Sequence, residues 1–155
     1  MSALKLLKDD HKAIEALLDE LASTTSRAIK KRGELLDKIR VQLKAHTTIE
    51  EEIFYTAFKV GGNKGDDARM YFEALEEHRA AGDLVLPDLM KTDLDGEKFS
   101  GRAKVLKELV THHADEEEKD MFKRAKELLD KDELEALGEK MAARKAQLMA
   151  ELRVS

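Results

Sequence analysis

The 155-residue chain has no cysteine, no tryptophan, one proline, eight glycines and only 5% aromatic residues. The absence of cysteine excludes disulfides, thiolate zinc sites, iron–sulfur clusters and cysteine nucleophiles, so any metal must be held by nitrogen and oxygen. No window approaches the roughly 20 apolar residues of a membrane span, and the N-terminal Met1–Lys12 stretch has no apolar run long enough for a signal peptide. The expected location is therefore the cytoplasm, with no membrane partner. A basic stripe is missing too: 33 acids and 28 bases, net charge −5, are spread along the whole chain, which argues against nucleic acid as a partner.

What remains is a chain 39% charged and 42% hydrophobic, the composition of helices that each carry one apolar stripe. An all-α fold is expected, and the length suits a single domain over residues 1–155. The first stripe runs Leu4, Leu7, His11, Ile14, Leu18, Leu21, spaced alternately three and four. After the Ser23–Ser26 turn cluster a second reads Leu36, Ile39, Leu43, His46, Glu50, Ile53, Ala57, Val60 and stops at Gly61-Gly62. A third helix is expected over residues 66–90, with Tyr71, Leu75, His78, Val85 and Leu89 inward and Pro87 kinking its last turn. Beyond the Lys91–Gly96 turn, Ser100 is expected to cap a fourth helix bearing Val105, Leu106, Leu109, Val110, His113, Glu117 and Met121. Four helices with short connections predict an up-down-up-down antiparallel bundle over about residues 1–129. A further amphipathic helix, residues 132–153, carries Leu134, Leu137, Met141, Leu148 and Leu152. Its balanced charge suits packing on the bundle, or on a second copy of the chain as a homodimer contact, rather than membrane anchoring.

Histidines and glutamates interrupt these stripes where a purely structural bundle would place leucine. In an antiparallel hairpin, residues equidistant from the turn lie at one height. The midpoint of His46 and His78 is Gly62, and that of His78 and His113 lies between Asp95 and Gly96; both fall in turns. The midpoint of His11 and His46 falls between residues 28 and 29, a few past the Ser/Thr cluster. All four histidines can thus share one inward-facing layer. His46/Glu50 and His113/Glu117 stand four apart, each pair stacked on one helical face. Phase favours His113 with Glu117, while His112 with Glu116, or a locally rewound turn bringing in Glu118, stays open as the helix-four pair.

Buried carboxylates without countercharge cost several kcal/mol, and no arginine or lysine is expected inward at this level. Two divalent ions would supply the charge, and imidazole with bridging carboxylate suits iron or manganese better than copper or zinc. Four histidines and two bridging glutamates give about eight ligand atoms for about twelve octahedral positions, and a bridging oxygen fills about two more. The open positions would take dioxygen, peroxide or nitric oxide. Ferritin-like Glu-x-x-His pairs are missing, which disfavours a storage cage.

The motifs Lys8-Asp9-Asp10-His11, His46-Thr47-Thr48-Ile49-Glu50 with its continuation to Tyr55, Glu76-Glu77-His78 and His112-His113-Ala114-Asp115-Glu116-Glu117 resemble those of the hemerythrin-like, or HHE cation-binding, family, over the chain to about residue 129. The resemblance implies a four-helix bundle around two non-haem iron ions with a bridging oxo or hydroxo group. By motif match the ligands are His11, His46, Glu50, His78, His113 and Glu117. Oxygen-carrying hemerythrins have a further histidine one turn from the third, whereas this sequence has Ala74 and Gly82 there. Gly82 would leave room for water, a second exogenous ligand or a replacement ligand, for which Tyr55 is a candidate. Three functions are therefore in view: capture of a small ligand, catalytic removal of peroxide or nitric oxide, and an iron-responsive interaction module.

Overall fold

Five helices account for almost all of the computed structural model, which describes residues 1–154. Helix α1 spans Ala3–Ala22, with Ser2 capping its first turn by accepting from the Leu4 N–H at 3.2 Å. Helix α2 runs over 29–61, α3 over 67–90 and α4 over 97–128, while α5 spans Lys131–Arg153. The first four form the antiparallel bundle expected: α1 packs on α2 and α4, and α3 on α4 and α2. The first turn differs only in its capping, because α2 starts after Ala28 without a side-chain cap. Ser100 does not cap α4 either. That helix starts at Glu97 behind Gly96, whose φ of 99° suits glycine, and Ser100 instead accepts from the buried Arg32 guanidinium.

Helix α5 lies against α1 and α2. It starts with a capping box in which Asp130 and Glu133 exchange side-chain and backbone hydrogen bonds. Leu134, Met141 and Leu148 are buried by the chain's own bundle. Gly138 lets the N-terminus cross it, since a Cβ there would lie 2.0 Å from the Met1 carbonyl oxygen. Among the described residues no helix is long and apolar enough to cross a membrane.

The main departure from simple periodicity is inside the helices. Three of them contain a wide π turn: Glu50–Phe54 in α2, Arg79–Val85 in α3 and Glu117–Met121 in α4. Each lies at or just after a histidine or glutamate of the inward layer, and such turns concentrate at functional sites. The first slips the phase of α2 by one residue. The stripe expected at Ile53, Ala57 and Val60 is displaced: Val60 is 82% exposed, while Phe54, Tyr55 and Phe58 are buried. In α3 the wide turn ends at Val85, just before Pro87, so the distortion expected at the last turn begins upstream. Ala74, Ala81 and Leu86 are buried there alongside His78 and Leu89.

Two apolar clusters result. One gathers Leu7, Ile49, Phe54, Tyr55, Phe58, Met121 and Phe122 with Met141 and Leu148 of α5. The other gathers Ile14, Leu18, Leu35, Ile39 and Leu43 of the first hairpin with Leu89, Phe99 and Leu106 of the second. Between the two clusters lies a polar layer.

Candidate metal centre

The polar layer is built from one inward histidine per bundle helix. His11, His46, His78 and His113 are all buried, as are Glu50 and Glu117, so the structure brings all six expected residues together. In α4 it is His113 and Glu117 that face inward, while His112 is exposed and Glu116 half-exposed. Glu118 points to the layer's edge, where it meets His11 Nδ1 at 2.6 Å.

Each imidazole is held through Nδ1 by a carboxylate from a neighbouring helix. Asp10 of α1 meets His46 at 2.9 Å, Glu51 of α2 meets His78 at 2.9 Å, Glu77 of α3 meets His113 at 2.7 Å, and Glu118 of α4 returns to His11. An Nδ1–H donated to a carboxylate leaves Nε2 as a lone pair, the arrangement found around metal-ligating histidines. Stripe periodicity does not reveal this ring, although each acid sits directly beside a layer residue in the sequence. Asp10 is also buried, and Lys145 of α5 bonds its other oxygen.

The four Nε2 atoms converge on the two inner carboxylates. Glu50 Oε1 lies 3.0 Å from both His46 Nε2 and His78 Nε2, and 4.0 Å from His113 Nε2. Glu117 places Oε1 3.1 Å from His11 Nε2 and Oε2 3.3 Å from His113 Nε2. Two overlapping groups follow, His11/His46/Glu50/Glu117 and Glu50/His78/His113/Glu117, with both glutamates common to each. Donor atoms around an ion at about 2.1 Å stand roughly 3 Å apart when adjacent, so these spacings suit ligands sharing a cation.

A direct test of fit is whether the protein satisfies these atoms by itself. His11 Nε2, His46 Nε2, Glu50 Oε2 and Glu117 Oε1 are buried without a hydrogen-bond partner, although carboxylate oxygens lie close to both nitrogens. Buried polar atoms are rarely left so, and each costs about 1–3 kcal/mol. The donor set therefore fits cations.

The electrostatics point the same way. Burial lowers the pKa of His46, but Glu50 and Asp10 outweigh it and raise the imidazole to about 10. Burial likewise opposes, and carboxylates outweigh, at the other three: Glu117 raises His11, Glu50 and Glu51 raise His78, and Glu117 with Glu77 raises His113 well above its ordinary value. Burial pushes Glu117 up, yet contacts with Glu50, His113 and His11 hold it well below the usual range. The layer attracts positive charge, and protons take it when no metal does.

Tyr55 is the residue that the wide turn of α2 adds. Its phenol oxygen lies 3.2 Å from both His78 Nε2 and His113 Nε2, 3.4 Å from Glu50 Oε1, and donates to Glu117. Five residues on from Glu50 would point away from it in an α-helix; the π turn brings the two together. Burial, with Glu117 and Glu50, raises the phenol well above its ordinary pKa. Gly82, beside His78, has nothing within 4 Å of a built Cβ, and with His78, Glu51, Asp83 and Leu43 it lines a cavity of about 100 Å³. A second, apolar cavity touches all four histidines and is lined by Ile14, Leu43, Ala81, Val110 and Ala114.

A helical bundle with two overlapping, buried imidazole–carboxylate groups defines a cation-binding protein of the bundle type. Residues 2–125 match the model of the hemerythrin HHE cation-binding domain, and the chain belongs to that family. It is 30% identical over 149 residues to an uncharacterized protein, Rv2633c, of Mycobacterium tuberculosis, a match covering 96% of this chain and 88% of the relative. An uncharacterized protein of Mycobacterium bovis, Mb2666c, matches to the same extent. The crystal structure of a hemerythrin HHE cation-binding domain-containing protein from Mycobacterium kansasii, a homolog of Rv2633c, superposes with a TM-score of 0.84 at 30% identity, covering 97% of this chain and 89% of that one.

Proposed function

We propose that the chain is a non-haem di-iron protein that binds dioxygen, nitric oxide or peroxide. His11 and His46 would hold one ion, His78 and His113 the other, with Glu50 and Glu117 bridging and an oxo or hydroxo group completing the pair. The observation that carries this reading is that both inner carboxylates are shared by two imidazole pairs, with no lysine or arginine contact to either among the described residues. Held there, two redox-active ions would supply open coordination positions and electrons to a small oxygen or nitrogen ligand.

The protein's own residues prepare that chemistry. The outer carboxylates fix each imidazole's tautomer, and the apolar cavity, with room for about one water-sized molecule, keeps bulk water from the histidines. Tyr55 lies 3.2 Å from the third histidine's Nε2 and would serve in place of the further imidazole that oxygen carriers have.

A second reading, catalytic removal of peroxide or nitric oxide, is favoured by one observation. Tyr55 carries a proton to within hydrogen-bonding reach of Glu117 and both histidines of the second group, which supplies a proton donor that a simple carrier does not need.

Metal analysis and the electronic spectrum after aerobic purification test the di-iron reading: two iron ions per chain and oxo-bridged ferric absorption are expected. Fewer than about two ions without that absorption would falsify it. Turnover of added peroxide by the loaded protein separates the enzyme from the carrier.

A further inference from the structure

His112 and Glu116 lie outside the buried layer, four residues apart on the solvent side of α4, and Glu77 of α3 faces them. His112 Nε2 is 3.4 Å from Glu116 Oε1 and 3.7 Å from Glu77 Oε2. One nitrogen and two carboxylate oxygens thus lie within 4.8 Å of one another, the spread of ligands around a partly hydrated divalent ion.

This cluster is linked to the inner layer by two separate features. Glu77 belongs to both: its Oε1 holds His113 Nδ1 at 2.7 Å, while its Oε2 faces His112. A cavity between α3 and α4 is lined by Glu73, Glu77, Glu116 and Asp120, and also by the buried His113 and Glu117. Glu117 is 3% exposed; its Oε2 stands beside His113 and accepts from Tyr55, while Oε1, which has no hydrogen-bond partner, stands beside His11. Arg69 also lines the cavity and pairs with Asp66 and with Glu73, which leaves Glu77, Glu116 and Asp120 as the acids that give the cavity its negative charge. The cavity is narrow, with room for about one water. A cation passing it must first lose much of its hydration shell.

We propose that Glu77, His112 and Glu116 form a third, outer metal site that captures a divalent cation and strips its water before it passes along the acid-lined cavity to Glu117 and His113. The passage rests on the metal-centre reading above; the outer site does not. Three protein donors with the remaining positions hydrated make a weak, exchanging site, as a loading site must be, and carboxylates at the mouth concentrate cations there.

The test uses metal-free full-length protein and Co²⁺, whose visible absorption reports coordination. The wild type is expected to take up two tightly bound ions and one weaker ion. In H112A and E116Q, both at exposed positions, the weak equivalent is expected to disappear. The two inner ions should reach the same final spectrum but load about tenfold more slowly, the lower end of what electrostatic capture provides. An unchanged third equivalent together with an unchanged loading rate in both variants would overturn the proposal. A weak ion that depends on His112, in a protein that binds none inside, would support the outer site and overturn the passage and the di-iron reading instead.

Discussion

Removing the metal should invert the pH dependence of stability. In the metal-free protein all four layer histidines are raised above their ordinary value of 6.5, His46 to about 10. The folded state then binds more protons than the unfolded state between these limits, so stability falls as pH rises. The histidine contribution is fully present below pH 6.5 and is lost as pH climbs through the folded values. Glu117 and Asp10 are lowered, so their contribution is present above the ordinary carboxylate range and is lost in acid. Each pKa unit corresponds to about 1.4 kcal/mol, so His46 alone sets an effect on the order of several kcal/mol between pH 6.5 and 10. With metal bound, protons at Nε2 compete with the ion, and each one displaced makes apparent affinity about tenfold tighter per pH unit. Urea denaturation of metal-free and loaded protein, at intervals from about pH 6 to 9, should give slopes of opposite sign. If both forms gained stability with rising pH, the reading of the layer as a proton-for-metal exchange site would be wrong.

Three further outcomes follow from particular contacts. Tyr55→Phe should retain two ions but, where the phenol is bound to ferric iron, lose a visible phenolate-to-iron absorption band; an identical spectrum in the variant would remove Tyr55 from the ligand set. Arg32, fully buried, bonds Thr24, the Leu94 and Gly96 carbonyls and Ser100, and lies over the Phe99 ring. Arg32→Met should lower denaturation stability by about 1–3 kcal/mol with metal content unchanged, because it leaves half-buried acceptors of three chain segments unpaired. Gly138→Val should cost about 1–3 kcal/mol by forcing the N-terminus off α5, read as a lower Tm; an unchanged Tm would show that the crossing is not tight.

The bundle and the six inward residues were legible because periodicity and hairpin midpoints depend only on spacing. Gly62 and the Asp95-Gly96 step do lie in turns, and α2 starts at Ile29, beside the third midpoint. What spacing could not reveal is a change of pitch. A stripe extrapolated at 3.6 residues per turn past Glu50 selects Val60, whereas the π turn selects Tyr55 and Phe58. Arg32 was illegible for another reason: its partners are mostly loop carbonyls, which carry no residue-type signature. The ring of outer acids left a trace, since Asp10, Glu51, Glu77 and Glu118 each adjoin a layer residue, but in a chain this rich in acids that trace is indistinguishable from a solvated helix face.

That ring has a sense of rotation. Helix α1 serves the histidine of α2, α2 that of α3, α3 that of α4, and α4 closes on α1. Each of the four seams between neighbouring bundle helices is therefore crossed once by a carboxylate–imidazole contact at the level of the layer. The contacts that orient the imidazoles thus also fasten the bundle into a closed circuit, in which loss of one acid frees one imidazole and loosens one seam while the other three stay fastened.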